Sequence, residues 1–253
     1  AKQSLHYLVM VKETLGDLGP NAEVQDGGDQ DVRGGECCPW LTPEFFRFGA
    51  STLEQGAAWC AAALGVLPRP GGKHPLMGTH NLLLAIGAPD FPRAYLEIIA
   101  IDPQAPAPQR RRWYDLDDPA LRAALASGPR LIHWVAGCDD AVAECAALAD
   151  AGIDRGEVLQ AERDTPRGLL RWRISVRSDG QRLAGGALPT LIEWGDTHPA
   201  DSLAASPVRL ATLSVGRLPV AVARQLPAGV TIGDAFSATL DTPLGPVRLE
   251  GLA

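Results

Sequence analysis

Cysteine, methionine and histidine are all scarce. The 253 residues include five Cys, two Met and five His. No two cysteines stand in a Cys-x-x-Cys spacing, which excludes the usual thiolate zinc and dithiol redox motifs. An odd, scattered set fits reduced thiols, and the expected compartment is the cytoplasm. Cys60 and Cys145 fall on apolar helical faces and read as small core residues. The adjacent Cys37 and Cys38, followed by Pro39, read as incidental. No apolar run approaches the ~20 residues of a membrane helix, and no signal-peptide pattern is expected at the start. Basic residues are not in surplus either. A net charge of -7 argues against a nucleic-acid surface, which depends on clustered Lys and Arg. The run Arg110, Arg111, Arg112 is followed by Asp115, Asp117 and Asp118 and reads as a solvated connector.

What is present is apolar sequence with structure-breaking punctuation. Hydrophobic residues make up 46%, with 27 Gly and 21 Pro, enough for one large domain or two small ones. Residues 1–44 are the least legible. Leu5 to Val11 could be a strand and Lys12 to Leu18 a short helix, and 21–36, rich in Gly, Asp and Gln, reads as an irregular extension. From Phe45 the pattern sharpens into a strand. Ser51 and Glu54 then form a capping box ahead of Leu53, Ala57, Cys60, Ala61 and Leu64 at helical spacing, and Gly65 closes the helix. Residues 68–72 read as a loop, and strands follow at about 78–86 and 94–101.

The same order then recurs. After a connector with three prolines and a short helix opened by Asp117 and Asp118, 130–135 reads as a strand. Asp139 or Asp140 caps a helix carrying Val142, Cys145, Leu148 and Ala149, and Gly152 ends it. Strands at 169–176 and 188–194 complete the second unit. The period is too long for a solenoid repeat and implies a duplicated half. A partial third echo follows: a strand at 208–215, a helix at 219–226 and a hairpin from 235 to 249. The expected organisation is an extension over 1–44, one unit over 45–104, a connector over 105–129, a second unit over 130–200 and a partial unit over 201–253.

The candidate chemistry lies in polar residues set into apolar strands. Glu97 stands among Tyr95, Leu96, Ile98 and Ile99, and Glu193 stands similarly beside Ile192 and Trp194. A carboxylate in such a run faces solvent or a polar cavity, because burying an unpaired charge costs several kcal/mol or more. With His133 they form a set able to hold a divalent cation with open positions, and a nearby carboxylate could move a proton. The bland reading of each alone is a hydrogen-bonded core or rim residue. His80 either faces the same cleft or ends its strand. Arg171 and Arg173, two apart, share one strand face and either bind an anionic substrate or meet water. His74 and His198 each precede Pro and read as loop residues. Trp134, Trp172 and Trp194 read as core or cleft wall.

Four runs carry a resemblance: His74 to Asn81, Tyr95 to Pro103, Leu131 to Ala136 and Leu188 to Trp194. They resemble glyoxalase-like domain proteins of the vicinal oxygen chelate superfamily. The resemblance implies an α+β fold of paired βαβββ modules forming a curved mixed-sheet cleft, with a partial C-terminal module. It implies a divalent metal (Zn, Fe, Ni or Mn) held by Glu97, His133 and Glu193, with Glu97 or Glu193 also acting as catalytic base. His80, Arg171 and Arg173 would orient a small oxygen-chelating substrate. The implied activity is of lyase, isomerase or dioxygenase type. The alternative is a metal-free protein that binds or sequesters a small molecule. No nucleic-acid or membrane partner is implied, and the state would be monomer or homodimer. One departure stands out: where such proteins carry a first-strand His, this chain has Phe45 or Phe46. Either His6 substitutes, or a ligand is lost, or 1–44 is a leader unrelated to the family.

Overall fold

The computed structural model describes residues 41–165, 168–216, 218–224, 226 and 229–252. The strand, helix and loop expected within 1–40, His6 among them, lie outside the described residues. Among the described residues twelve strands form two sheets. In sequence order the main sheet comprises β1 (Thr42–Gly49), β2 (Arg69–His74), β3 (Thr79–Ala85), β4 (Tyr95–Ile101), β5 (Arg130–Gly137), β6 (Glu157–Thr165), β7 (Gly168–Val176) and β8 (Thr190–Trp194). Its spatial order is β2-β3-β4-β1-β5-β8-β7-β6. That order reads the same from either end once β1 is matched to β5, β2 to β6, β3 to β7 and β4 to β8. The halves meet where β1 pairs antiparallel with β5, and each first strand pairs parallel with its own last strand. The paired βαβββ modules are therefore visible as topology. The second sheet, β10-β9-β11-β12, uses β9 (Arg209–Val215), β10 (Val230–Ile232), β11 (Ser237–Asp241) and β12 (Val247–Glu250).

The helices start where short polar side chains can accept free backbone N–H groups. α1 (Leu53–Trp59) is capped by Thr52, one residue later than expected: its side chain accepts from Gln55 N, while Gln55 Oε1 accepts from Ser51 N and Oγ. A π-helical turn over Cys60–Leu64 extends α1, and Gly65 ends it in the left-handed region, φ 69°. Asp118 caps α2 (Pro119–Ser127), with Pro where a missing N–H costs nothing. Asp140 caps α3 (Ala141–Asp150) by accepting from Val142 N and Ala143 N. α4 (Val220–Ala223) lies within the expected 219–226 helix. No helix among the described residues is long and apolar enough to cross a membrane.

The expected loop at 68–72 is instead the start of β2. Pro70, Gly71 and Gly72 are tolerated there because β2 is an edge strand, and its register shifts between Pro70 and Lys73.

Side chains alternate across the sheet, and the alternation separates two cores. The outer face carries Phe46, Phe48, Leu96, Ile98, Trp134 and Leu191, merged with Cys60 and Leu64 beside α1, Leu148 of α3 and the second sheet's Leu210, Leu213 and Leu240. Gly56 of α1 is needed there, since a β-carbon would come within 2.3 Å of Ile98 Cγ2. The inner face carries Phe45, Leu83, Tyr95, Ile99, Val135, Ile174 and Ile192, closed over by Trp113, Tyr114 and Leu116 of the connector.

Candidate functional site

The inner face of the main sheet forms a cleft with about 480 Å³ of empty space, mouth included. Five aromatic side chains line it: Phe45, Tyr95, Trp113, Trp172 and Trp194. Phe45 stacks on Tyr95 at 4.8 Å between centroids, and Trp172 and Trp194 lie 5.9 Å apart. A second, mostly apolar stretch continues past His74, Trp113, Trp172 and Ile174 to Met77 and Leu159. Such a wall suits an aromatic or apolar body with a few polar groups to orient it.

The polar floor is built on β1, β4 and β5. Arg47 is the cross-strand partner of both Glu97 and His133. Ile132 is left unpaired by a bulge in β5, and this keeps His133 in line with Arg47. Arg47 Nη1 lies 2.5 Å from Glu97 Oε2, both side chains 3% exposed. The guanidinium also lies against two neighbouring aromatic rings, 4.7 Å from Trp113 and 4.3 Å from Tyr114. Burial alone would lower the Arg47 pKa, but Glu97, Tyr114 and Tyr95 together outweigh it and the net direction is upward. Glu97 Oε1 accepts from Asn81 Nδ2 at 2.5 Å, and Asn81 Oδ1 accepts from Gly72 N at 2.6 Å. Each group on this side of the floor has a charged or polar partner, as buried charge requires.

His133 stands on the other side, 1% exposed. Its Nε2 lies 3.0 Å from Thr190 Oγ1 and accepts from Thr190 N at 3.1 Å. An acceptor at Nε2 means a neutral ring with its proton on Nδ1. Burial, with Arg155, Arg47 and Arg182 nearby, holds its pKa well below the ordinary value, although the Gly186 backbone pulls the other way. His74 closes the cleft from β2, with Nδ1 3.0 Å from Thr79 Oγ1 and Nε2 3.8 Å from Glu97 Oε1. Burial, then Arg47 and Arg163, depress it in the same direction.

The six residues read from the sequence divide by strand face. Glu97 and His133 face inward. Glu193 follows the parity of Leu191, outward, where it accepts from Ala141 N at the start of α3 and lies 3.3 Å from Arg173. Arg171 and Arg173 do share a face, but it is the outer one, and Arg171 pairs with Glu162 at 3.2 Å. His80 pairs across from Ala100, also outward, 4.0 Å from Asp102. The structure thus does not bring Glu97, His133 and Glu193 to a common point. Among the described residues no three His, Cys, Asp or Glu side chains are gathered as a metal ion would need.

The donor set does not fit a divalent cation: a guanidinium already occupies Glu97, and His133 Nε2 is turned to the backbone of Thr190. The residue on the first strand that meets Glu97 and His133 is Arg47, not Phe45 or Phe46, which precede it. Sequence reasoning passed over Arg47, His74, Asn81 and Arg163. The available signal was an Arg set between Phe46 and Phe48 in one apolar strand. Arg163 is inward on β6, aligned with Leu170, and among the described residues no carboxylate pairs with it.

A family model described as a glyoxalase-like domain matches residues 47–229. The chain belongs to this glyoxalase-like family, within the vicinal oxygen chelate superfamily. No curated protein matches it. Among solved structures it is similar to a hypothetical protein from Staphylococcus aureus at 15% identity and TM-score 0.50, covering 83% of this chain and 86% of that one. It is also similar to methylmalonyl-CoA epimerase from Streptomyces coelicolor at 19% identity and TM-score 0.39, covering 62% and 98%. The Mycobacterium tuberculosis epimerase aligns at 16% and 0.36, covering 68% and 97%. At these identities the likenesses speak to fold alone.

Proposed function

We propose that this glyoxalase-like chain binds a small aromatic or apolar molecule with one anionic oxygen group, and does so without a metal ion. The observation that carries the reading is the buried Arg47–Glu97 pair at the centre of the inner face, where the superfamily resemblance implies metal ligands. A fixed guanidinium there supplies positive charge and directional N–H groups, as a cation would, and repels a second cation. Arg47 and Glu97 neutralise one another, and His74 and His133 are uncharged. Arg163 is left as the cleft's surplus charge, in a protein whose net charge is -7. That charge and the aromatic walls support a monoanionic aromatic ligand.

The test uses Trp fluorescence, because Trp113, Trp172 and Trp194 all line the cleft. 2-Naphthoate quenches it and binds about 10-fold more tightly than neutral 2-naphthamide, the factor expected of one charge-assisted contact. Chelator leaves the binding unchanged, and elemental analysis finds no stoichiometric metal. Stoichiometric divalent metal in the wild-type protein, lost in Glu97→Gln, would overturn the reading and restore a metal-dependent one. A second reading, a metal-free isomerase or lyase, draws on His74: a neutral imidazole on the cleft wall can accept a proton from bound substrate. A His74→Gln variant that binds ligand but turns nothing over would support that version.

A further inference from the structure

Among the described residues, Arg155 is a buried charge without a counter-charge. It follows α3, is 4% exposed, and has one hydrogen-bond acceptor, Thr190 Oγ1 at 3.2 Å from Nη2. Its Nε and Nη1 have no acceptor. Among the described residues no carboxylate is within ion-pair distance of it. The adjacent Asp154 is turned away, its side chain 76% exposed and paired with Arg177. Asp179 is likewise taken by Arg177.

No neighbouring side chain supplies the missing negative charge. Burial pushes the Cys145 thiol up and the Tyr114 phenol up, so both stay neutral at pH 7. Arg155 itself is lowered by burial only to about 10 and keeps its proton. A buried charge without a counter-charge is among the costliest arrangements a fold can hold.

Arg155 lines a small half-open cavity, with Trp113 between it and the cleft, whose enclosed part admits a group about the size of one water molecule. Other buried donors without partners line the same cavity. Trp113 Nε1 has no acceptor, and Tyr114 Oη approaches Arg47 and Thr190 without a well-formed bond. A water molecule could satisfy an indole N–H or a phenol. It would leave the guanidinium uncompensated.

We infer that this cavity is a binding site for a small monovalent anion, held by Arg155 Nε and Nη1 with the Trp113 indole N–H completing its shell. The ion is either an inorganic halide or the carboxylate of a small organic acid, and both present the acceptor these donors lack. Bound there, it completes an electrostatic chain from Arg155 through Thr190 to His133 on the cleft floor. The site stands apart from the naphthoate test, because of its lining only Trp113 and Val176 are shared with the cleft wall.

The experiment takes protein prepared in sodium gluconate and titrates sodium bromide, and separately sodium formate, at constant ionic strength. Bromide raises Tm by about 3–5 °C at ten times its Kd, and Arg155→Met abolishes the response while Arg163→Met keeps it. Crystals grown with bromide show an anomalous peak between Arg155 and Trp113. A response to formate without one to bromide identifies a carboxylate as the resident ion. The inference is overturned if neither anion shifts Tm, or if the shift persists in Arg155→Met. Should Arg155→Met fail to fold, the wild-type titrations and the anomalous map decide alone: no peak and no shift sink it.

Discussion

Arg47 and His133 are cross-strand partners at the seam between two topologically matched halves, and they have become chemically opposite. The first half holds a charged pair, Arg47 with Glu97, tied to the edge of the sheet through Asn81 and Gly72. The second holds a neutral hydrogen-bonded unit, His133 with Thr190. The difference teaches that a duplicated frame conserves where side chains point while leaving open what they carry. A divalent metal needs donors from both halves at one point. Here one half has internalised its own cation and the other has turned its imidazole Nε2 toward Thr190, so the two halves offer no shared set of donors.

The sharpest way to break the contrast is to strip the charged half of one partner. Glu97→Ala strands the buried Arg47 and costs about 3–5 kcal/mol in urea unfolding, whereas Arg47→Met with Glu97→Leu recovers most of it. A loss below ~1 kcal/mol for the single change would mean that solvent reaches the pair. Next comes pH. His74 and His133 are both held well below their ordinary value of 6.5. The unfolded chain therefore binds more protons than the folded one below that pH. The stability is fully present above about pH 6.5 and is lost as pH falls below it, by about 1.4 kcal/mol per pH unit for each imidazole until the folded pKa is reached. Unfolding measured from pH 7 to 5 should show this slope, and His74→Gln should remove one share.

In the neutral half, Thr190→Val removes the hydroxyl shared by His133 and Arg155 but keeps the backbone donor. The expected loss is about 1–3 kcal/mol by thermal unfolding. The smallest effect belongs to the outer face. Glu193→Gln weakens a half-exposed contact with Arg173 and a bond to the start of α3, costs under about 1 kcal/mol, and leaves naphthoate binding unaltered. Loss of binding there would mean that Glu193 reaches the cleft after all, and would undo the assignment of faces.

The elements were legible because apolar periodicity, caps and glycine stops are local. Gly65 does end α1, Asp118 and Asp140 do cap their helices, and the recurrence of strand, helix and strands does fold as matched halves. What could not be read was parity. A one-residue change of register moves a strand's whole side-chain set to the other face. In β4 and β8 flanking residues are apolar on both faces, so Glu97 and Glu193 looked equivalent while pointing opposite ways. Arg171, Arg173 and His80 fell on the outer face for the same reason, and Arg163, six residues upstream of Leu169, carried no local sign of facing inward. β2 was missed because Pro70, Gly71 and Gly72 signal a loop, and only its place at the edge of the sheet makes them acceptable in a strand.

The two outermost strands of the main sheet, β2 and β6, are bridged over the cleft by a side chain instead of a ladder of backbone bonds. Arg163 Nη1 lies so close to Gly72 that a β-carbon there would come within 2.0 Å of it. The curved sheet is therefore bridged at that point by a flexible arm. Swinging the arm aside needs rotamer changes of the picosecond-to-nanosecond kind and no melting of the sheet. A side chain at position 72 would collide with that arm, so glycine there keeps the two edges of the sheet together without a shared backbone bond.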